Sequence, residues 1–234
     1  MSGFDYDPFS DGDWDDRGEL SWNEFDWQRY LKAHNDETGR YLGHYHRLKA
    51  RPDHLDEVAV LMGWDGEDWC PSDADGAEDD TSGDSDGSES EDTSDLDDTD
   101  PYTIHKHPVF IATQALYQHL HAIWEHYVTA HQKLVSPLLA WKLCQSLHRG
   151  EMHAVLAINS LDLGDYSLTV CHLKNALCSL NQSLELIHEI PVGSSKANAF
   201  LVREAQVVLF DLREIWLRTM NECREETRRH PDND

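Results

Sequence analysis

Histidine is the residue type in this chain that could do chemistry. Five of the 26 residues from His107 to Gln132 are histidines, namely His107, His119, His121, His126 and His131, and His105 lies just upstream. Imidazole can bind a transition metal or move a proton near neutral pH. A metal bound along one helix needs its ligands three or four residues apart. Setting His119 at zero on a turn of about 100° per residue puts His126 near 340°, His131 near 120° and His121 near 200°. Only His119 and His126 share a side, about 10 Å apart along the axis. The five do not converge on one ion, so any role they have is pairwise with another helix, with His119 and His126 the first to consider.

A second constellation involves carboxylates. Dinuclear carboxylate bundles combine two Glu-x-x-His tetrads with two further glutamates. The chain has one such tetrad, "ELIH", from Glu185 to His188, and no second copy on another helix of that domain. Glu151, in "LHRGEMHAVL", interrupts an otherwise apolar stripe beside His148 and His153. A buried carboxylate there needs a partner. In a metal-binding alternative, Glu151, Glu185 and His188 are the expected ligands and a transition metal ion the cofactor; the leading expectation is no cofactor. Other chemistry has no support: there is no GxSxG, no cysteine with an identifiable base and no phosphate loop. The five cysteines, Cys70, Cys144, Cys171, Cys178 and Cys223, are odd in number and form no CxxC pair, which indicates neither a disulfide framework nor a zinc ribbon.

The elements that must carry these residues are helices. Apolar residues recur every three or four positions in six segments, and no stretch alternates as a strand does. Ser21 with Glu24 reads as a capping box opening a helix that reaches about Pro52. A short helix follows over "DHLDEVAVLMGW", ended by Gly63. Four longer helices are expected at about 107–132, 137–162, 165–190 and 195–228. Ser136-Pro137 starts the second, Gly164 breaks it, and Pro191-Val192-Gly193 ends the third. Short connections make neighbours antiparallel. The predicted fold is all-α: an up-down-up-down four-helix bundle over 101–234, preceded by a helical hairpin over 21–64.

The net charge of −26 is concentrated outside those elements. Residues 1–20 carry seven acids against one base, giving −6, and residues 65–100 carry 17 acids and no base, giving −17. Both read as disordered, the second as an acidic flexible tether, because they hold too little apolar surface to offset ordering entropy. The hairpin and the bundle are nearly neutral, at −1 and −2. This distribution opposes nucleic-acid binding, which rests on basic side chains against phosphates, and suits a protein partner with a basic surface. No apolar run approaches the ~20 residues of a membrane span, and the acidic N-terminus lacks a signal pattern; a cytoplasmic location is the expectation.

Three local patterns resemble known motifs. Glu78, Asp80, Ser82 and Glu89 have the spacing of an EF-hand loop, without flanking helices. Leu156, Ala157, Gly164, Tyr166, Leu173 and Ala176 fall where the turn of a tetratricopeptide repeat places small and aromatic residues. That resemblance covers one repeat, with Thr169 at the usual alanine and no second copy 34 residues away, so it reads as convergent packing of one helical pair. "REETRRH", from Arg224 to His230, has the Arg-to-His spacing of the ribonuclease members of the HEPN family, but a basic helix end complementing the dipole explains it better.

The functional expectation is a non-enzymatic protein-interaction or scaffold module. Its partner contacts are expected among the hairpin aromatics Trp22, Phe25, Trp27, Tyr30, Tyr41 and Tyr45, since aromatic residues dominate binding hot spots; two copies of the chain would also associate there. The alternative is a metal-binding, ferritin-like bundle using Glu151, Glu185 and His188.

Overall fold

The computed structural model describes residues 22–64, 103–131, 135–190 and 196–229. The acidic segments, and with them the EF-hand-like spacing, lie outside the described residues, as do Cys70, His230 and the Pro191-Val192-Gly193 stop.

The described residues form six α-helices, with no strand among them: α1 (Glu24–Leu48), α2 (His54–Met62), α3 (Pro108–Ala130), α4 (Pro137–Asp162), α5 (Tyr166–His188) and α6 (Lys196–Arg229). A single 3-10 turn, Ile104–Lys106, leads into α3. Local chemistry sets most ends. Ser136 Oγ accepts from Leu139 N at 3.1 Å, with Pro137 at the first helical position. Asp165 Oδ1 accepts from Leu168 N at 2.8 Å. Gly63 and Gly164 end α2 and α4 with φ of 79° and 75°, a left-handed backbone that residues with a Cβ adopt reluctantly. The start of α1 differs from the Ser21–Glu24 expectation. Asn23 is the cap: its Oδ1 accepts from Phe25 N at 2.8 Å and Asp26 N at 3.2 Å, and Asp26 Oδ2 accepts from Asn23 N. Asparagine is as good a cap as serine, and its box lies two residues further on.

The helix neighbours are α1 with α2, α1 with α3, α3 with α4, α4 with α5, α5 with α6, and α6 with α3. Pro108 through Thr113 of α3 are all buried, and α1 packs against α3. α1 buries Tyr30, His34, Thr38, Tyr41 and Tyr45, a stripe of spacing three and four. Trp64, just beyond α2, stacks on Tyr41 with ring centroids 5.6 Å apart.

The α4–α5 pair is the most extensive contact and is made largely of small and hydroxyl residues. Gly150, Ala154 and Ala157 of α4 face Thr169, Ala176 and Ser179 of α5, all buried. Ser146 Oγ donates to Ser179 O at 2.8 Å, Ser183 Oγ donates to Ser146 Oγ at 2.8 Å, and Thr169 Oγ1 donates to both Asp165 O and Ala157 O. These hydroxyls are satisfied within the seam, so their burial is not penalised. The repeat-like spacing of Leu156–Ala176 falls on this tight pair, with Thr169 bonding across where a repeat has alanine.

Gly150 marks the closest approach. A Cβ there would lie 2.5 Å from the hydroxyl of Tyr117 in α3, which is buried and stacked on Trp216. Glycine to alanine inside a helix ordinarily stabilises by about 1 kcal/mol. Here Gly150→Ala is expected to destabilise by about 1–3 kcal/mol through overpacking. Tyr117→Phe removes the clashing oxygen and leaves its ring carbon at an ordinary 3.7 Å. Urea unfolding of the two single variants and the double should therefore show Tyr117→Phe relieving most of the cost of Gly150→Ala. A Gly150→Ala protein more stable than the parent would refute the clash.

Candidate functional site

One group of polar side chains converges where residues of α1 and α2 meet residues of α3 and α6. Tyr45 Oη donates to Asp211 Oδ2 at 2.5 Å, across 166 residues of chain. His54 Nε2 of α2 lies 3.1 Å from the same oxygen, without the geometry of a hydrogen bond. One turn away, Lys49 Nζ donates to Glu204 Oε1, and His119 Nε2 lies 3.3 Å from that oxygen. His46 completes the group: its ring meets that of His119 edge to face, with centroids 4.4 Å apart. His46, His119 and Glu204 each present one ligand atom within 4.8 Å of the others. Among the described residues this is the one group of three or more His, Cys, Asp or Glu side chains so arranged.

Each position has a local cause. His46 follows Tyr45, whose buried ring fixes the rotation of α1. His119 comes three residues after Leu116 and one before Leu120, both buried, so it sits at the margin of the α3 core face. Glu204 and Asp211 are seven apart on α6, two turns along one side. The Glu204 side chain is only 12% exposed and that of His119 16%.

The electrostatics follow from this crowding. Burial works to raise the Glu204 carboxyl, but hydrogen bonds and charge from Lys49 and His119 outweigh it and hold it below the usual carboxylate range. Burial, then the neighbouring His119 and Lys49, pull the His46 imidazole below its ordinary value despite Glu204. Burial and the Asp211 charge hold both Tyr41 and Tyr45 well above the ordinary phenol value. Both phenols are therefore neutral near pH 7, and that of Tyr45 donates to Asp211.

The expected ligands lie elsewhere. Glu151 Oε2 is 3.2 Å from His121 Nε2, a half-exposed pair joining α4 to α3. Glu185 is exposed on α5, in a groove with Lys142 and Arg149. His188 is also exposed; its Nδ1 meets Leu184 O at 2.7 Å and its Nε2 meets Gln206. Glu151, Glu185 and His188 do not form a ligand group of the kind made by His46, His119 and Glu204. No disulfide joins the four cysteines among the described residues; Cys223 is buried and the others are exposed.

The α3 histidines meet different neighbours, as their angular spread requires. His107 caps the helix through Nδ1, which accepts from Val109 N at 3.2 Å. His119 faces α1 and α6, His121 faces Glu151, and His131 stacks on Tyr127 of its own helix. His126 is exposed. Of the two histidines singled out by angle, His119 has a cross-helix partner. Its partner His46 was not singled out, because nothing in the local pattern of α1 distinguishes it from His44 or His34.

The hairpin aromatics divide in two. Tyr41 and Tyr45 are inside the protein, 1% and 0% exposed, and Tyr30 is buried and hydrogen-bonded to Thr103. Phe25, Trp27 and Leu31 are exposed at 68%, 41% and 44%, with Leu31 one turn after Trp27. Trp22, Trp27 and Tyr30 pack edge to face, with centroids 4.9–5.9 Å apart.

No family model, curated protein or solved structure matches this chain. No helix among the described residues is long and apolar enough to cross a membrane.

Proposed function

We propose that this chain is a non-enzymatic interaction module whose contact surface is the N-terminal end of α1. The observation that supports it most is the exposed set Phe25, Trp27 and Leu31, next in sequence to the acidic run that ends at Glu19. Large side chains held by a capped helix offer contact area at little conformational cost. The acids beside them favour a protein partner whose basic surface surrounds an apolar centre. α2 to α6 act as the support that holds α1 in place. We further infer that α3 to α6 make the up-down-up-down four-helix bundle, since their neighbour pairings form a closed ring, with residues 21–64 as a separate hairpin docked against it.

The test uses a labelled amphipathic peptide of lysine and leucine as the partner's chemical stand-in, followed by fluorescence anisotropy with the full chain. Binding that weakens with salt, and weakens at least tenfold in a Phe25→Ala/Trp27→Ala variant, is the expected result. Equal binding of a glutamate and leucine peptide, or indifference to the double substitution, would sink the reading.

A further inference from the structure

We propose that His46, His119 and Glu204 form a binding site for a divalent transition metal ion of the zinc class, one that fastens the N-terminal hairpin to the rest of the protein. The three ligands come from α1, α3 and α6, so a single ion would tie together helices that are far apart in sequence. Two imidazoles and one carboxylate are a donor set suited to such ions, leaving a fourth position to water.

The geometry is close to what an ion needs. Bonds of about 2.1 Å in a tetrahedral arrangement place ligand atoms about 3.4 Å apart. His119 Nε2 and Glu204 Oε1 already stand 3.3 Å apart, and the whole set is within 4.8 Å. A small rotation of the exposed His46 side chain supplies the remaining closure, since its ring is not locked in the core. The carboxylate and His119 are largely withdrawn from water, which favours ion binding over loose surface contact.

Lys49 gives the site its distinguishing feature. Its ammonium donates to Glu204 Oε1, the same oxygen that faces His119. An internal cation therefore competes for the carboxylate, and an incoming ion must displace it. Removing that cation should tighten metal binding, whereas removing an ordinary supporting residue would loosen it. Lys49→Met keeps the apolar stem that covers the site and deletes the charge.

The experiment is calorimetric titration of the full chain with Zn²⁺ in parallel with His46→Ala, Lys49→Met and His188→Ala. His46 is exposed, so His46→Ala should fold normally, and His188→Ala controls for scattered surface histidines. The expected result is one specific site in the parent, weakened at least tenfold by His46→Ala, unchanged by His188→Ala and tightened severalfold by Lys49→Met. Hydrogen exchange gives a second readout: Zn²⁺ should slow exchange across α1 in the parent and not in His46→Ala. No specific site, binding that survives His46→Ala, or weaker binding in Lys49→Met would overturn the assignment.

Discussion

Tyr45→Ala should cost about 3–5 kcal/mol of stability, the range for deleting a fully buried aromatic side chain. The ring is 0% exposed, and it anchors α1 against α6 through Asp211. Two losses add. The cavity left by the ring removes packing with the parallel ring of Tyr41, 6.5 Å away between centroids. Asp211, 8% exposed, also loses the phenol that donates to it. Tyr45→Phe separates them, since it keeps the ring and removes only the donor; about 1–3 kcal/mol is expected, the cost of leaving a buried acceptor unsatisfied. Denaturant unfolding should rank the parent above Tyr45→Phe and Tyr45→Ala lowest, with α1 amides exchanging fastest in Tyr45→Ala. A Tyr45→Ala chain within 1 kcal/mol of the parent would mean that the hairpin is not held at this point.

The second large effect is acid sensitivity at His107. Burial lowers its pKa from the ordinary 6.5 to about 4, with the Asp162 charge opposing. The cap acts in the same direction as burial: Nδ1 accepts from Val109 N, and a protonated ring has no lone pair there. The folded pKa is depressed, so between pH 6.5 and 4 the unfolded chain binds more protons than the folded one. Stability from this group is full above about pH 6.5 and is lost as pH falls toward 4. The shift corresponds to about 3 kcal/mol at 1.36 kcal/mol per unit. His107→Asn keeps a capping acceptor and cannot titrate. Urea unfolding at pH 7 and pH 4 should show the parent losing about 3 kcal/mol more than His107→Asn. Parallel losses in the two proteins would show that the cap does not sense pH.

Much of the helical layout is legible in the sequence because its punctuation is local. Ser136-Pro137, Asp165, Gly63 and Gly164 act within one turn of themselves, and each does what its residue type dictates. The burial pattern is less legible. The apolar stripe of α5, Tyr166, Val170, Leu173, Leu177, Leu180, Leu184 and Ile187, is buried at Leu173, Leu180 and Ile187, yet Thr169, Ala176, Ser179 and Ser183 are buried as well. A close helix pair selects small residues that an apolar count passes over. Phe25 and Leu31 fit the helical spacing of α1 and are exposed, whereas Thr38 of the same stripe is buried and so is His34, which lies outside it.

The candidate site is the least legible part. His119 stands out by its angle on α3, but its partners His46 and Glu204 are 73 and 85 residues away in sequence. No spacing rule reaches across such distances. Glu151 is conspicuous because it breaks a stripe, and the structure gives it a partner in His121. Glu204 breaks no stripe, although its side chain is the more buried of the two.

The 166 residues between Tyr45 and Asp211 also set an order of events during synthesis. The α4–α5 seam joins residues as few as twelve apart and can close as soon as α5 emerges. α1 can meet α2 and α3 earlier, but the Tyr45–Asp211 bond must wait for α6. At the usual elongation rate of about 5–20 residues per second, that wait lasts roughly 10–30 s. Through that interval Tyr41 and Tyr45 have no α6 to pack on. The acidic run before α1 and the one that follows α2 bracket this aromatic surface while the ribosome finishes the chain. Acidic runs of like charge repel one another, an effect that disfavours association of neighbouring chains. The two ends of the Tyr45–Asp211 contact are thus made at different times.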